Sequence, residues 1–506
     1  MLKILRLLLV SVAGASILFA SQQHYLPLLL AQGQDDPVEL YRAIGLGSDE
    51  ALDRLSQVAQ QRQDPYWLQQ AARQGDAQSY YQLALKETDE VRYQRLMGKA
   101  ASAGHAAAQH EVALLTDSPV HREEWLRLSA EQDYLPAIIS LYQWLIVNEQ
   151  LDEALPWLQK AAPEDPQSAL LLAKRRWRDE QFDEARDWFR RAQAMGSQPA
   201  ADYLQLISRY WPGKKAVSVG PHLVDLNKEQ CVIRLQPVVL SLDNMQQLTQ
   251  LAEQFARDKR LAQLPICLLE PVWVKATALQ CEEDWQGGRR LGCDAGDLTR
   301  LPLAEDFTHL LILAERGKAN VHNGIMYLDL GDSYSVFVHE LAHFAGFVDE
   351  YPLSSSMAEN ICHPASSAPN LVMVMDSEEL PQKLSTWRDS GQEWTLAKAR
   401  TCNNHPMQAY KASSKLTFME YHDQEMIPPL YLALWKQRLE ARIGLLPAYI
   451  NIAQALESRG NYQEAQYWWQ RTREYLAPIL PAHNGQEALS VGDSLTGETE
   501  TELPTL

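Results

Sequence analysis

Residues 335–351 read SVFVHELAHFAGFVDEY, and this stretch organises the rest of the chain. Because residues four apart lie on the same face of a helix, His339 and His343 can present two imidazoles to one metal ion. Glu340 then lies beside that metal, where a carboxylate can take a proton from a metal-bound water. An imidazole pair suits Zn²⁺, so the stretch predicts a hydrolytic zinc site on a helix.

The residues after His343 offer a third ligand. Gly346 can adopt a positive φ without a steric penalty, so it can end the helix and turn the chain back. Asp349 is then expected to lie near the metal, which completes the pattern HExxHxxGxxD. The alternative is an amphipathic helix whose histidines are only hydrogen-bonded and whose Asp349 caps a neighbouring turn. Burial does not separate the two interpretations, because the apolar residues of the stretch bury the helix in both.

The extended pattern resembles the metzincin zinc peptidases, with Asp349 in place of the more usual third histidine, as in the snapalysin-like branch. The ending DEY at 349–351 is also similar to the IgA-peptidase-like metallopeptidases, which place the aspartate one residue further from the second histidine. The resemblance implies a Zn²⁺ cofactor bound by His339, His343 and Asp349, with Glu340 as the general base. It implies hydrolysis of protein or peptide substrates.

A second segment resembles the tight turn that metzincins place beneath the metal. Residues 417–421 read TFMEY, which matches the small residue, methionine and tyrosine of that turn. The resemblance implies that Met419 forms a hydrophobic floor under the ligands, and that Tyr421 approaches the metal or stabilises an oxyanion. An ordinary core methionine is the alternative for Met419.

Strand and helix patterns alternate ahead of the motif, in the order of the upper subdomain of a metzincin-like fold. Asp332, Ser333 or Ser335 can cap the motif helix. Residues 317–323 fit either an edge strand that pairs with an extended peptide or an ordinary loop. Strand patterns cover 231–240, 266–274, 310–314 and 324–330, and helical patterns cover 243–259 and 428–442.

The first part of the chain is repetitive. The segment AARQGDA at 71–77 recurs as AASAGHA at 100–106, and weaker copies follow near 128, 161 and 192, with a period of about 30 residues. Small alanines let helices pack closely, and the tryptophans Trp67, Trp125, Trp157 and Trp188 are expected to fill the space between neighbours. The segment resembles the Sel-like relatives of tetratricopeptide repeats. Such a solenoid is either a protein-binding surface or a rigid spacer.

A further helix pair is predicted at 447–480, where AQALESRGNYQEA follows a tetratricopeptide pattern. One isolated repeat cannot bury its own apolar face, so it is expected to dock on the peptidase domain or on the solenoid. Residues 481–506 contain acidic residues but no Lys or Arg, and few large apolar groups. This tail is therefore expected to be disordered.

Composition restricts the partners and the compartment. The formal charge of −19 argues against nucleic acid, because phosphate binding needs clustered basic residues. Leu7–Ala20 is an apolar run of signal-peptide length behind a basic start. Cleavage after Ala20 would place Leu18 where a small residue is preferred, so an uncleaved anchor stays open, and the chain contacts a membrane only in that case. A periplasmic or secreted protein is expected.

The six cysteines lie around the zinc motif: Cys231, Cys267, Cys281, Cys293, Cys362 and Cys402. An even number in an exported protein predicts disulfides, with fifteen possible pairings. Cys281 and Cys293 bracket a short irregular loop and form the most local candidate pair. A disulfide between Cys362 and Cys402 would tie down a long segment with little core of its own.

The sequence therefore predicts a multidomain zinc endopeptidase whose helical repeats recruit a protein or peptide substrate or an envelope protein partner. The alternative is a repeat scaffold of a cell-envelope assembly, with a zinc domain kept for stability or peptide binding. The predicted parts are a signal peptide or anchor at 1–20, an all-α solenoid at 38–212, an α+β metzincin-like domain at 218–444, the helix pair at 447–480 and the tail at 481–506.

Overall fold

The computed structural model describes residues 25–31, 36–210 and 231–477. The chain divides into two compact units, one ending at Ala201 and one beginning at Asp202. The predicted signal segment, the domain boundary near 211–215 and the acidic tail lie outside the described residues. Within the described part of the chain, no helix is long and apolar enough to cross a membrane.

The first unit is a run of short helices, and from Pro37 to Ala194 each helix packs against the next. The last of these helices crosses the boundary between the units. Within 36–210 the helices are α1 (Pro37–Gly45), α2 (Asp49–Gln61), α3 (Pro65–Arg73), α4 (Ala77–Leu85), α5 (Glu90–Ser102), α6 (Ala106–Leu115), α7 (Pro119–Ala130), α8 (Leu135–Val147), α9 (Leu151–Ala161), α10 (Pro166–Arg178), α11 (Phe182–Ala194) and α12 (Gln198–Tyr210).

The repeated alanines lie where the first helix of each pair ends, and each allows the second helix to approach closely. Gly75 and Gly104 follow two of these ends with φ of +95° and +99°, the left-handed conformation that closes a helix. The predicted helical repeats are therefore present. The four tryptophans are partly buried, and Trp67 and Trp125 pack against the apolar clusters of their repeats. Each copy of the repeat has at least one completely buried alanine: Ala71, Ala100, Ala130, Ala161 and Ala192.

The second unit mixes helices with β-sheets. Its first half contains β1 (Ile233–Val239), α13 (Leu242–Arg257), β2 (Ile266–Leu268), β3 (Val272–Trp273), β4 (Cys281–Glu282), β5 (Gly292–Cys293), β6 (His309–Leu313), β7 (Asn320–His322), β8 (Ile325–Leu328) and α14 (Tyr334–His343). Its second half contains α15 (Ser355–Ile361), β9 (Leu371–Val374), α16 (Leu380–Lys383), α17 (Ser385–Asp389), β10 (Ala397–Ala399), β11 (Gln408–Lys411), α18 (Pro429–Glu440), α19 (Tyr449–Ser458) and α20 (Tyr462–Leu476).

The main sheet has the strand order β2-β1-β6-β8-β7, and β3 also pairs with β1. Strands β1, β6 and β8 are parallel and nearly fully buried, as expected for a sheet covered by helices. Phe255 of α13 packs edge-on against Phe337 of α14 at 5.9 Å, which joins the motif helix to this layer. β7 runs antiparallel to β8 at the edge of the sheet, so the segment at 317–323 contains an edge strand.

Two local expectations were wrong. The single strand predicted at 266–274 is broken into β2 and β3, because Pro271 has no N–H to donate to a ladder. The loop expected between Cys281 and Cys293 contains two short antiparallel strands, β4 and β5, in which these two cysteines face each other. The disulfide between them fixes that register.

The C-terminal helix pair docks on the sheet of the second unit. The backbone N–H of Ala448 donates to the Thr308 carbonyl at 2.9 Å, and Asn451 Nδ2 donates to the His322 carbonyl at 3.0 Å. A Cβ at Gly324 would collide with the Ala448 backbone, so the glycine permits this close approach. The sequence left two docking sites open, the α+β domain and the solenoid. In the structure the helix pair lies on the second unit, against the sheet.

All six cysteines are paired, as Cys231–Cys267, Cys281–Cys293 and Cys362–Cys402. The pairing therefore includes both candidates considered from the sequence. Three disulfides indicate an oxidising compartment, in the periplasm or outside the cell.

Replacing Cys362 and Cys402 together with Ser is expected to lower the free energy of unfolding by about 3–4 kcal/mol, because the bond closes a long loop in the unfolded chain. The two cysteines are 40 residues apart in sequence. Urea unfolding of oxidised wild type and of the double variant measures the difference. A difference below about 1 kcal/mol would contradict the expected role of this bond.

Candidate metal centre

The motif helix α14 ends at the bend that the sequence predicts. Gly346 has a φ of +77°, and its N–H donates to the His343 carbonyl at 2.9 Å. A Cβ at this position would lie 2.9 Å from Arg438 Nη2, so both the backbone conformation and the available space favour glycine. The chain therefore turns sharply after the second histidine and returns toward the helix.

The bend brings three side chains together. Asp349 Oδ1 lies 3.1 Å from His339 Nε2 and 3.4 Å from His343 Nε2, and the two Nε2 atoms are 3.2 Å apart. Ligands held about 2.0–2.1 Å from a tetrahedral ion are separated from one another by about 3.3 Å. The three atoms therefore have the spacing of three ligands around one ion.

The other nitrogen of each imidazole is already used. His339 Nδ1 is 2.8 Å from the Phe418 carbonyl and His343 Nδ1 is 2.8 Å from the Phe347 carbonyl. Because a carbonyl only accepts, Nδ1 carries the proton in both neutral rings and the Nε2 lone pair faces the centre. Within the described part of the chain, Asp349 Oδ1 is buried and has no hydrogen bond of good geometry. Two nitrogen lone pairs and a carboxylate oxygen that face the same point repel one another, so this arrangement suits a bound cation.

The charges of the centre are strongly coupled. Burial by itself lowers the pKa of His343, but the negative charge of Asp349 outweighs burial and raises that pKa to about 9. Burial by itself would raise the pKa of Asp349, and the histidines hold it well below its usual range. Without a metal, the centre therefore holds a proton on His343 at neutral pH, and a metal must displace that proton.

Glu340 lies beside the two histidines and is buried. The atoms of Glu340, His339 and His343 that could bind a metal all lie within 4.8 Å of one another. Burial raises the pKa of Glu340, and the charges of His343 and His339 act against that rise. A carboxyl with a raised pKa can both accept and return a proton near neutral pH.

The segment 417–421 touches the centre through its backbone. The Phe418 carbonyl binds His339, and the Met419 carbonyl accepts the Glu350 N–H at 2.9 Å. Met419 itself is fully buried. The backbone of this segment therefore supports both the motif helix, through Phe418, and the bend after it, through Met419.

Tyr421 belongs to the same segment, but its side chain is partly exposed and contacts Arg400. Its side chain is 48% exposed, and its hydroxyl accepts a 3.5 Å hydrogen bond from Arg400, whose guanidinium lies 5.7 Å from the ring centre. Among the described residues, no hydrogen bond or ion pair links Tyr421 to His339, His343 or Asp349. A catalytic role for Tyr421 stays a prediction.

Two residues next to Asp349 were missed by the sequence analysis. Tyr351 follows closely, and burial together with the negative charge of Asp349 raises the pKa of its hydroxyl. Glu350 is completely buried below the bend. The ending DEY marked both positions, but a sequence pattern does not show which way their side chains point.

Asp332 is a half-buried carboxyl just before α14, and burial followed by the charges of Asp329 and Glu340 raises its pKa to about 6. The folded state holds this proton more tightly than the unfolded state, in which the pKa of Asp332 is near 3.8. The proton therefore stabilises the folded state at pH values below 3.8, and this stabilisation is lost as the pH rises through 6. Asp332→Asn is therefore expected to raise the free energy of unfolding at pH 7.5 by about 1–2 kcal/mol, with no gain below pH 4. Urea unfolding at both pH values tests this, and equal gains at both would contradict it.

Comparison with known proteins finds matches among solved helical repeat proteins. One is the crystal structure of c5321, a protective antigen of uropathogenic Escherichia coli strains displaying an SLR fold, with 21% identity and a TM-score of 0.29 over 37% of this chain. Another is the crystal structure of a Sel1 repeat protein from Oxalobacter formigenes, with 19% identity and a TM-score of 0.23 over 37% of this chain. This chain spans 48% of the first protein and 75% of the second. No protein-family model and no curated protein matches the chain.

Proposed function

We propose that the second unit is a metzincin-like zinc endopeptidase that hydrolyses protein or peptide substrates. The observation that supports this most is the meeting of His339 Nε2, His343 Nε2 and Asp349 Oδ1 within 3.4 Å of one another. Nitrogen and carboxylate donors suit Zn²⁺, and three protein ligands leave a fourth position for water or substrate. Structural zinc sites are instead closed by four protein ligands.

Each side chain has a task in this proposal. Zn²⁺ bound here would polarise the scissile carbonyl and make a water molecule more acidic. Glu340 would accept the proton of the attacking water and return it to the leaving amine, which suits its raised pKa. The carboxylate of Asp349 offsets part of the metal charge, so the water would be less acidic than beside three neutral histidines.

The helical repeats would recruit or orient the protein substrate, or bind an envelope protein partner. Stacked helix pairs form extended surfaces of the kind that repeat proteins use for binding. Several large apolar side chains of the first unit are exposed, among them Tyr66, Val91, Val120 and Val147. We place this activity in the periplasm or outside the cell, where the disulfides form.

A second candidate is a non-catalytic repeat scaffold of a cell-envelope assembly, with a zinc domain kept for stability or for peptide binding. The observation that favours it is the helix-pair architecture of the first unit, since stacked helix pairs form extended binding surfaces. This candidate gives Glu340 no role in turnover. The two candidates therefore differ in whether a zinc-loaded protein cleaves anything.

The test is digestion of a broad peptide library by the zinc-loaded full chain, read by mass spectrometry. The peptidase proposal expects internal cleavage that stops when a chelator removes the metal and returns when zinc is restored. Zinc bound in full with no cleavage, in the library or in unfolded proteins, would favour the scaffold. A protein that binds no zinc would contradict both accounts of the second unit.

A further inference from the structure

The backbone of the bend that carries Asp349 is fixed on both sides. Val348 N–H donates to Asn370 Oδ1 at 3.0 Å, and the Val348 carbonyl accepts from Asn370 Nδ2 at 2.8 Å. The Asp349 carbonyl accepts the Thr401 hydroxyl at 2.8 Å. Asp349 is therefore presented by a backbone whose polar groups are held by side chains far away in sequence.

The next residue, Glu350, joins this bend to the segment at 417–421. Its N–H donates to the Met419 carbonyl at 2.9 Å, and its carbonyl accepts the Arg400 N–H at 3.1 Å. In the same segment, the Phe418 carbonyl holds His339. Movement of Glu350 would therefore disturb the supports of two of the three candidate ligands.

The Glu350 side chain is completely buried and well satisfied. Its Oε2 accepts the Thr417 hydroxyl at 2.5 Å, and its Oε1 accepts the Tyr431 hydroxyl at 2.6 Å and Asn370 Nδ2 at 3.0 Å. Lys411 Nζ lies 3.5 Å from Oε2 and supplies a positive charge. A buried carboxylate with this many donors is held in one position.

These four partners come from four different parts of the second unit. Asn370 precedes β9, Lys411 ends β11, Thr417 begins the supporting segment and Tyr431 lies in the first turn of α18. One carboxylate therefore joins the bend to three other parts: the small sheet in which β9 pairs with β11, helix α18 and the segment 417–421. A buried apolar residue would fill the same space without fixing these directions.

We infer that Glu350 is a positioning residue for the metal centre: its carboxylate locks the bend so that Asp349 meets the two imidazoles. This inference rests on the proposed function, since it concerns the same metal. Glu350 itself touches neither substrate nor metal in this account. Its loss should weaken zinc binding beyond any loss of folding stability, because groups that orient metal ligands change metal affinity directly.

The experiment compares Glu350→Ala and Glu350→Gln with wild type in the full chain. Zinc affinity is measured by competition with a chromophoric chelator, and urea unfolding of the metal-free proteins reports folding separately. Glu350→Ala is expected to bind zinc about 10–100-fold more weakly, with a smaller loss for Glu350→Gln, which keeps an acceptor in the same place. Activity of both variants should recover when zinc is saturating.

Asn244→Ala is the matched control. Asn244 is also completely buried, but its Nδ2 donates to the Ala314 carbonyl at 2.8 Å, and among the described residues it shares no hydrogen-bond partner with Glu350. Zinc affinity should change by less than about threefold in this variant, even where stability falls.

Unchanged zinc affinity in folded Glu350 variants would overturn the inference, and so would an equal loss in Asn244→Ala. If Glu350→Ala does not fold, Glu350→Gln and Thr417→Val decide the question in the same assay. A wild-type protein that binds no zinc would overturn the proposed function and this inference together. Wild-type binding with unaffected variants would overturn the inference alone.

Discussion

Replacing Glu340 with Gln is expected to lower kcat/KM for peptide hydrolysis by about 10²–10⁴-fold while zinc content stays at the wild-type level. The amide has the size of the carboxylate but cannot accept the proton of the attacking water. Because Glu340 is outside the proposed ligand set, the metal should remain bound. The measurement is initial rates on a cleaved library peptide, with zinc quantified by elemental analysis of the same samples.

Glu253→Gln provides a control for the loss of one negative charge. Glu253 lies on the exposed side of α13, where it pairs with Arg257 at 3.3 Å. Its replacement should leave kcat/KM within about twofold of wild type. A zinc-loaded Glu340→Gln protein that cleaves at the wild-type rate would remove the general base from the account.

Replacing Asp349 with Ala is expected to weaken zinc binding by about 10²–10³-fold, because it removes one of three ligands and leaves the two imidazoles alone. The metal-free variant should also lose the interaction that raises the pKa of His343 to about 9. Its imidazole pair should therefore titrate at lower pH. Chelator competition measures the affinity, and histidine NMR signals followed through a pH titration report the pKa.

Asp423→Ala is the control for this variant, since Asp423 is an exposed carboxylate whose side chain is 81% accessible. Zinc binding should be unchanged there. Equal affinities of Asp349→Ala and wild type would show that the third ligand is another group, and an unshifted His343 titration would contradict the observed contact.

The motif and its bend could be predicted because the information is local. The spacing of His339 and His343 follows from helix geometry, and Gly346 is the residue that permits the left-handed turn after it. The structure adds that both Nδ1 atoms are occupied by carbonyls. One of these carbonyls, at Phe418, lies 79 residues from its histidine, and no local pattern indicates it.

The surroundings of the site could not be predicted, because their contacts join residues that lie far apart in the sequence. Glu350 has partners that are 20, 67 and 81 residues away in sequence, and their meeting depends on tertiary packing. Tyr421 fits its motif as a sequence, but Arg400 holds its hydroxyl in the structure. A motif specifies residue types, whereas side-chain direction depends on the neighbours.

The fold likewise has features that local sequence patterns predict and features that depend on tertiary contacts. The period of the alanine repeats predicted helix pairs, because each alanine is needed where two helices approach closely. The pattern at 266–274 predicted one strand, since apolar periodicity does not register the missing N–H of Pro271. Docking of α19 and α20 was expected on general grounds, but the surface that receives them depends on Gly324 and Thr308.

The most direct test of the central claim is the zinc X-ray absorption spectrum of the metal-loaded full chain. Two imidazoles and one carboxylate predict a shell of nitrogen and oxygen at about 2.0–2.1 Å, with the outer-shell scattering of histidine rings. In Asp349→Ala the imidazole scattering should persist while the shell loses an oxygen. Sulfur at about 2.3 Å, or a shell without imidazole scattering, would contradict a centre built from His339, His343 and Asp349.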